Sequence, residues 1–429
     1  MINYSVFVQM QKGGFVMFKD CLILGEDQYY SMNSYETQVN NNVLVVGAAG
    51  SGKTRSLVIP NVLQATGSYI ISDPKGMLYK NYADYLRDRG YVIKVLDLIS
   101  PKKSTNYNFF HYIRTERDII KAGNMLGNAL INLADSNEPF WENAAEMLMI
   151  ALIAYLVLYR PKEEHTLEGI MKLTRLANIN ERDSTEKTIL DLLFDDTHRH
   201  EPNNFAYRQY QKFRVGAGKT LKSVIITLNA KFKDLDFDEL NKMMSKDRMN
   251  IPSIGEKKTA VFVIVSDMER SMDCVANMFY SQCLEVLCSE ADKKTGGRLK
   301  NDVRFILDDF ATNCVIDDFP KKISAFRSRG ISAMIMLQSE QQLDACYPRQ
   351  GNIVIGNCDN YVYLGGNDLF TANSIARRCN VPIEEVLYMP IGTNWLIRRG
   401  QKPILGRNFE LDTYYSKLDV DVVEEELEM

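Results

Sequence analysis

The chain has 429 residues, 45 % of them apolar and 25 % charged, enough for two or three domains with real cores. Its formal charge is −4, yet the stretch 419–428 holds six acids whose removal leaves a body of +2, which excludes a protein basic over its whole surface. Eight scattered cysteines without a C-x-x-C and only four histidines exclude a zinc-binding pattern and suit a reducing cytoplasm.

Residues 1–40 alternate short β-like pieces (YSVFVQM, GGFVMF, CLIL) with glycine and asparagine turns, which predicts a β-rich lead-in packed on a larger sheet. Val43 to Val46 follow as an unbroken apolar run, the pattern of a strand covered on both faces. That strand runs into GAAGSGKT, Gly47 to Thr54, which meets every requirement of G-x-x-x-x-G-K-[ST]. The stretch after Thr54, RSLVIPNVLQ, can open a helix before Pro60 interrupts or kinks it. Strand, glycine loop and helix start are the setting in which backbone N–H groups cradle phosphates. The expected phosphate-binding set is Gly47, Ala48, Gly50, Ser51, Gly52, Lys53, Thr54 and Arg55, with Lys53 on the β- and γ-phosphates and the Thr54 hydroxyl on Mg²⁺. A second buried strand, Ser68 to Ser72, ends in Asp73-Pro74-Lys75-Gly76, and a third, Tyr91 to Leu96, ends at Asp97.

From 111 to 250 helical periodicity takes over. Trp141 to Arg160 is apolar almost all round after its first turn, which predicts a helix buried in a bundle. The longest apolar run, Met147 to Tyr159, is 13 residues, short of the ~18 that a membrane span needs. His198 and His200 could pair on a metal, but a solvated loop is the simpler reading. Val215 to Thr220, VGAGKT, mimics half a second phosphate loop, but Phe213 stands where the first glycine is required.

Strand signals resume at Thr259 to Val265, Val303 to Leu307, Ala333 to Leu337 and Tyr361 to Leu364. Strands spaced by helices predict an α/β fold with a doubly wound, mostly parallel twisted sheet, interrupted by an all-α insertion. Asp308, after Phe305-Ile306-Leu307, stands where a strand-end carboxylate holds Mg²⁺, and Asp309 would polarise the attacking water. Gln338 ends the next strand, where an amide could position water or sense a γ-phosphate; it could equally be an ordinary strand-end polar residue. Arg327 and Arg329, in AFRSRG, could supply positive charge to a transition state or simply sit on the surface.

Taken in order, GAAGSGKT, SDPKG, FWENAAEMLM, LDDFA, RSRGIS, LQSEQQL and NCDNYVYLGGNDLFTANSIA resemble the TraG-like type IV coupling proteins over roughly residues 22 to 400. The resemblance implies a RecA-like P-loop NTPase domain (41–110 and 251–416), an inserted all-α substrate-recognition domain (111–250) and a homo-hexameric ring. It implies that Lys53 and Thr54 bind ATP and Mg²⁺, that Asp308 is the Walker B acid, that Gln338 is sensor-like, and that Arg327 is a finger acting in trans. The implied cargo is a relaxase on single-stranded DNA or a secreted protein, handed to type IV secretion channel components or a membrane partner. The second Walker B acid of the family is usually Glu; here it is the shorter Asp309. Members usually begin with transmembrane helices, and no such run is visible here, so the expected place is peripheral, at the cytoplasmic face of the membrane. Competing expectations are an FtsK-type DNA translocase and an ATP-binding receptor that scarcely hydrolyses. The acidic stretch 417–429 is expected to be disordered.

Overall fold

The computed structural model describes residues 21–130, 139–178, 186–216 and 218–412. The first half of the expected lead-in, one position of VGAGKT and the acidic stretch lie outside these residues. Two compact units are present: 1–94 with 252–263 and 287–429, and 95–251 with 264–286.

The strands are β1 (Cys21–Gly25), β2 (Gln28–Ser31), β3 (Val43–Val46), β4 (Ser68–Ser72), β5 (Val92–Asp97), β6 (Thr259–Ile264), β7 (Val303–Leu307), β8 (Ile331–Leu337), β9 (Asn360–Tyr363), β10 (Thr393–Arg398) and β11 (Ile404–Arg407). β1 and β2 form an antiparallel hairpin. The other nine make one sheet in the order β11-β10-β9-β3-β8-β7-β4-β6-β5. Its middle is parallel: β3 pairs with β8 and β9, β7 with β8, and β4 with β6 and β7. Parallel strands of this kind need both faces covered, and β3, β4, β6, β7, β8 and β9 are buried along their whole length. β10 and β11 extend the sheet antiparallel at one edge, two strands that the sequence reading did not anticipate.

The core joins Leu22 and Leu24 of β1 and Leu57, Val58 and Val62 of the stretch after the glycine loop to Tyr69, Phe262, Ile306 and Met334 of the sheet. That stretch is a π-turn over Thr54–Val58 that continues as α-helix over Ile59–Leu63. Pro60 lies directly after the π-turn, where the helical hydrogen-bond register changes from i−5 to i−4.

The second unit is mainly helical. Its helix Pro139–Tyr159 is buried without a break from Leu148 to Leu156, as an all-round apolar sequence requires. His198 and His200 lie in the last turn of the helix Ile189–His200 rather than in a loop. There the His198 ring stacks on Tyr207 and its Nδ1 accepts the Asn203 N–H at 3.0 Å, so aromatic packing and a helix end account for it. Among the described residues no group of three or more His, Cys, Asp or Glu could hold a metal ion, and no helix is long and apolar enough to cross a membrane.

Candidate functional site

The parallel strands all deliver their carboxyl ends to one side, and the glycine loop springs from β3, which has a parallel strand on either side. Gly50 and Gly52 turn the chain at φ +74° and +85°, a region that costs a side-chain-bearing residue strain. The start of the loop is stitched to both neighbours of β3. Gly47 N–H donates to Leu337 O at 3.1 Å, at the end of β8, and Ala48 N–H donates to Gly365 O at 2.9 Å, just past β9.

Lys53 Nζ donates to the carbonyls of Gly47 and Ala48 at 2.7 and 2.9 Å. Burial holds this ammonium below the usual lysine range, against the opposing pull of Asp308 and Asp309. Thr54 Oγ1 donates to Asp308 Oδ2 at 2.7 Å, joining the loop to the end of β7. The other carboxylate oxygen of Asp308 accepts the Asp309 N–H at 3.1 Å, and its main-chain carbonyl accepts Ser72 Oγ at 3.1 Å from the adjacent β4. Burial is the main cause that raises the Asp308 carboxyl above the usual range; Asp309 adds to it, while the Thr54 bond and Lys53 oppose. Asp309 itself sits at φ +50°, turning the chain into the short helix Phe310–Asn313.

Two observations fit a nucleoside triphosphate with Mg²⁺. Ser51 Oγ is buried in the loop without a hydrogen-bond partner. A hydroxyl and a carboxylate, both hard oxygen donors, meet beside the lysine, as Mg²⁺ coordination requires.

The remaining predicted residues divide. Gln338 is exposed at the carboxyl end of β8, directly after the residue that accepts the Gly47 N–H. Arg55 is turned to Asp412, at 2.5 Å. Arg327 precedes β8 and therefore lies at the opposite, amino end of the sheet, where Nη2 donates to Ser34 O at 2.6 Å.

Sequence reasoning passed over Asp73. It is 1 % exposed at the end of β4, and its two carboxylate oxygens accept the Leu78 and Tyr79 N–H groups at 3.0 and 2.7 Å. Burial, with Asp308 adding to it, pushes its carboxyl up to about 6 against those bonds. The available signal was an acid directly after a buried strand, the same signal that marks Asp308.

A glycine loop after a parallel strand, bonded through its threonine to an acid on a nearby strand end, defines a P-loop nucleotide-binding protein of RecA-like fold. The chain belongs to the type IV secretory system conjugative DNA transfer family, whose sequence profile matches residues 8–380. No curated protein sequence matches it. Among solved structures it is similar to the bacterial conjugative coupling protein TrwB in an unbound form, with 16 % identity, a TM-score of 0.62, and coverage of 86 % of this chain and 84 % of that one. TrwB in complex with ADP and Mg²⁺ gives 15 % identity, a TM-score of 0.61, and coverage of 86 % and 85 %. VirB4 of Thermoanaerobacter pseudethanolicus gives 13 % identity, a TM-score of 0.51, and coverage of 92 % and 98 %. At these identities the likeness is one of fold.

Proposed function

We propose that the chain is an ATP-hydrolysing coupling protein that recruits substrate and drives it into a type IV secretion channel. The observation that carries this reading is the 2.7 Å bond between Thr54 and Asp308, which gathers the two side chains that a nucleotide-bound Mg²⁺ needs. The complexes of TrwB with the ATP analogue ADPNP and with ADP and Mg²⁺ support ATP and Mg²⁺ as the ligands here. Bound Mg²⁺ would supply charge neutralisation across the β- and γ-phosphates. Lys53 exchanges its loop carbonyls for phosphate oxygens, and Asp309 and Gln338 orient the attacking water from the ends of β7 and β8. Arg327, at the far end of β8 from its own loop, acts on the loop of a neighbouring copy, which makes a ring, a homo-hexamer, the active form. The helical residues 111–250 receive the substrate, a relaxase on single-stranded DNA or a secreted protein. A membrane partner or channel component then holds the assembly at the cytoplasmic face of the membrane.

The test is steady-state ATP hydrolysis across protein concentration, with and without single-stranded DNA. Turnover that rises cooperatively with both is expected. Near-zero turnover at every concentration, alongside tight ATP binding, would replace the motor with an ATP-binding receptor.

A further inference from the structure

β7 carries a cation where its neighbouring strands carry uncharged side chains. Arg304, between Val303 and Phe305, is 4 % exposed. Its donors find few acceptors. Nη1 donates to Asn61 Oδ1 at 3.3 Å, an oxygen that already accepts the Ile23 N–H at 3.1 Å. The Met32 thioether lies against Nη2, and Nε is buried without a hydrogen-bond partner. Asp302 is committed elsewhere, since both its oxygens accept from Arg298 Nη2, at 2.8 and 2.7 Å. Asp302 acts on Arg304 through space only, and a buried guanidinium without a hydrogen-bonded anion is a costly arrangement unless something supplies one.

Arg304 lines a cavity of about 430 Å³ at the amino ends of β4, β7 and β8, within the range of small-molecule pockets. Tyr69 forms part of its wall, and its charged lining is Arg298, Lys300, Asp302 and Arg304, a net +2. Lys300 is exposed and has no ion-pair partner among the described residues. We propose that this cavity binds a phosphate dianion, either inorganic phosphate or the terminal phosphate of a small phosphorylated molecule, with Arg304 at its buried end and Lys300 at its exposed one. The planar fork of a guanidinium matches phosphate oxygens, and a net +2 is balanced by a dianion, whereas a carboxylate leaves one charge over. The cavity shares no residue with the glycine loop. It adjoins the Arg327 segment, because Arg298 Nη1 donates to Arg327 O at 3.1 Å.

Calorimetric titration of the full chain with inorganic phosphate tests the assignment. Besides phosphate at the glycine loop, which Lys53→Ala removes, one further site is expected that Lys53→Ala leaves intact, so its fate is separate from that of the nucleotide reading. Its affinity should fall at least about tenfold in Arg304→Met and about threefold in Lys300→Ala. Replacing a buried cation with an apolar side chain of similar length is often tolerated, and Lys300→Ala, on the surface, keeps the test sound if Arg304→Met does not fold. Glycerol 3-phosphate binding more tightly than inorganic phosphate identifies a phosphorylated molecule as the source; weaker binding identifies the free ion. Equal phosphate binding by the wild type and both variants, loss of all binding in Lys53→Ala, or acetate binding as tightly as phosphate overturns the proposal.

Discussion

The two ends of the central strands hold their charges differently. At the carboxyl end Lys53 bonds to two carbonyls of its own loop and Thr54 to the Asp308 carboxylate, so the charged groups face one another within a single site. At the amino end Arg327 is pinned to the main-chain carbonyl of Ser34, Arg298 is shared between the Asp302 carboxylate and the main-chain carbonyl of Arg327, and Arg304 is buried with Nε unsatisfied. The seven residues of β8 separate these ends by about 23 Å, several times the reach of an arginine side chain. One copy therefore carries phosphate chemistry and an arginine that cannot serve it. The contrast makes hydrolysis a property of contact between copies, under the function proposed above.

The strongest way to break the contrast is at the carboxyl end. Asp308→Ala should lower ATP turnover by about a thousandfold while leaving the melting temperature within a few degrees of wild type. Full activity would refute the assignment of Asp308. At the amino end, Arg327→Ala should lower turnover by about a hundredfold. Mixing it with Lys53→Ala subunits should restore part of that loss, since each variant then supplies what the other lacks; a mixture no better than its parts removes the trans role. A further effect is on stability. The folded Asp73 carboxyl titrates at about 6 rather than 3.8, so between these values the folded chain binds more protons than the unfolded one. Stability contributed by this group thus falls as pH rises through that window, by up to about 3 kcal/mol. Urea unfolding at pH 4.5 and 7.5 should show Asp73→Asn gaining on the wild type at the higher pH, and parallel profiles would discard the shift.

The phosphate loop was legible because its signal is local: eight consecutive residues and an apolar strand before them. Asp308 was legible for the same reason, as an acid ending a buried strand. Asp73 carries the same signature, but its meaning depends on β4 lying beside β7, a pairing that joins residues more than 200 positions apart. Arg304 was hidden by its surroundings: VRFIL reads as one more buried strand, and only the packing reveals a cation inside it. β10 and β11 escaped for different reasons: β10, paired on both sides, mixes polar residues into TNWLIR, while β11, at the sheet's edge, is largely exposed and lacks the continuous apolar run of the central strands. In the sequence the proposed trans role of Arg327 rests on family resemblance alone; the structure adds that Arg327 lies at the far end of β8 from its own loop.

Ser72 and Asp73 are consecutive residues with different clients. Ser72 holds the main chain of Asp308, while Asp73 grips the first turn of the helix Met77–Asp88. Twelve residues of helix make a rod about 18 Å long. The pair thus links the strand that bears Asp308 to a helix whose Leu78, Tyr82, Ala83 and Leu86 are packed in the core.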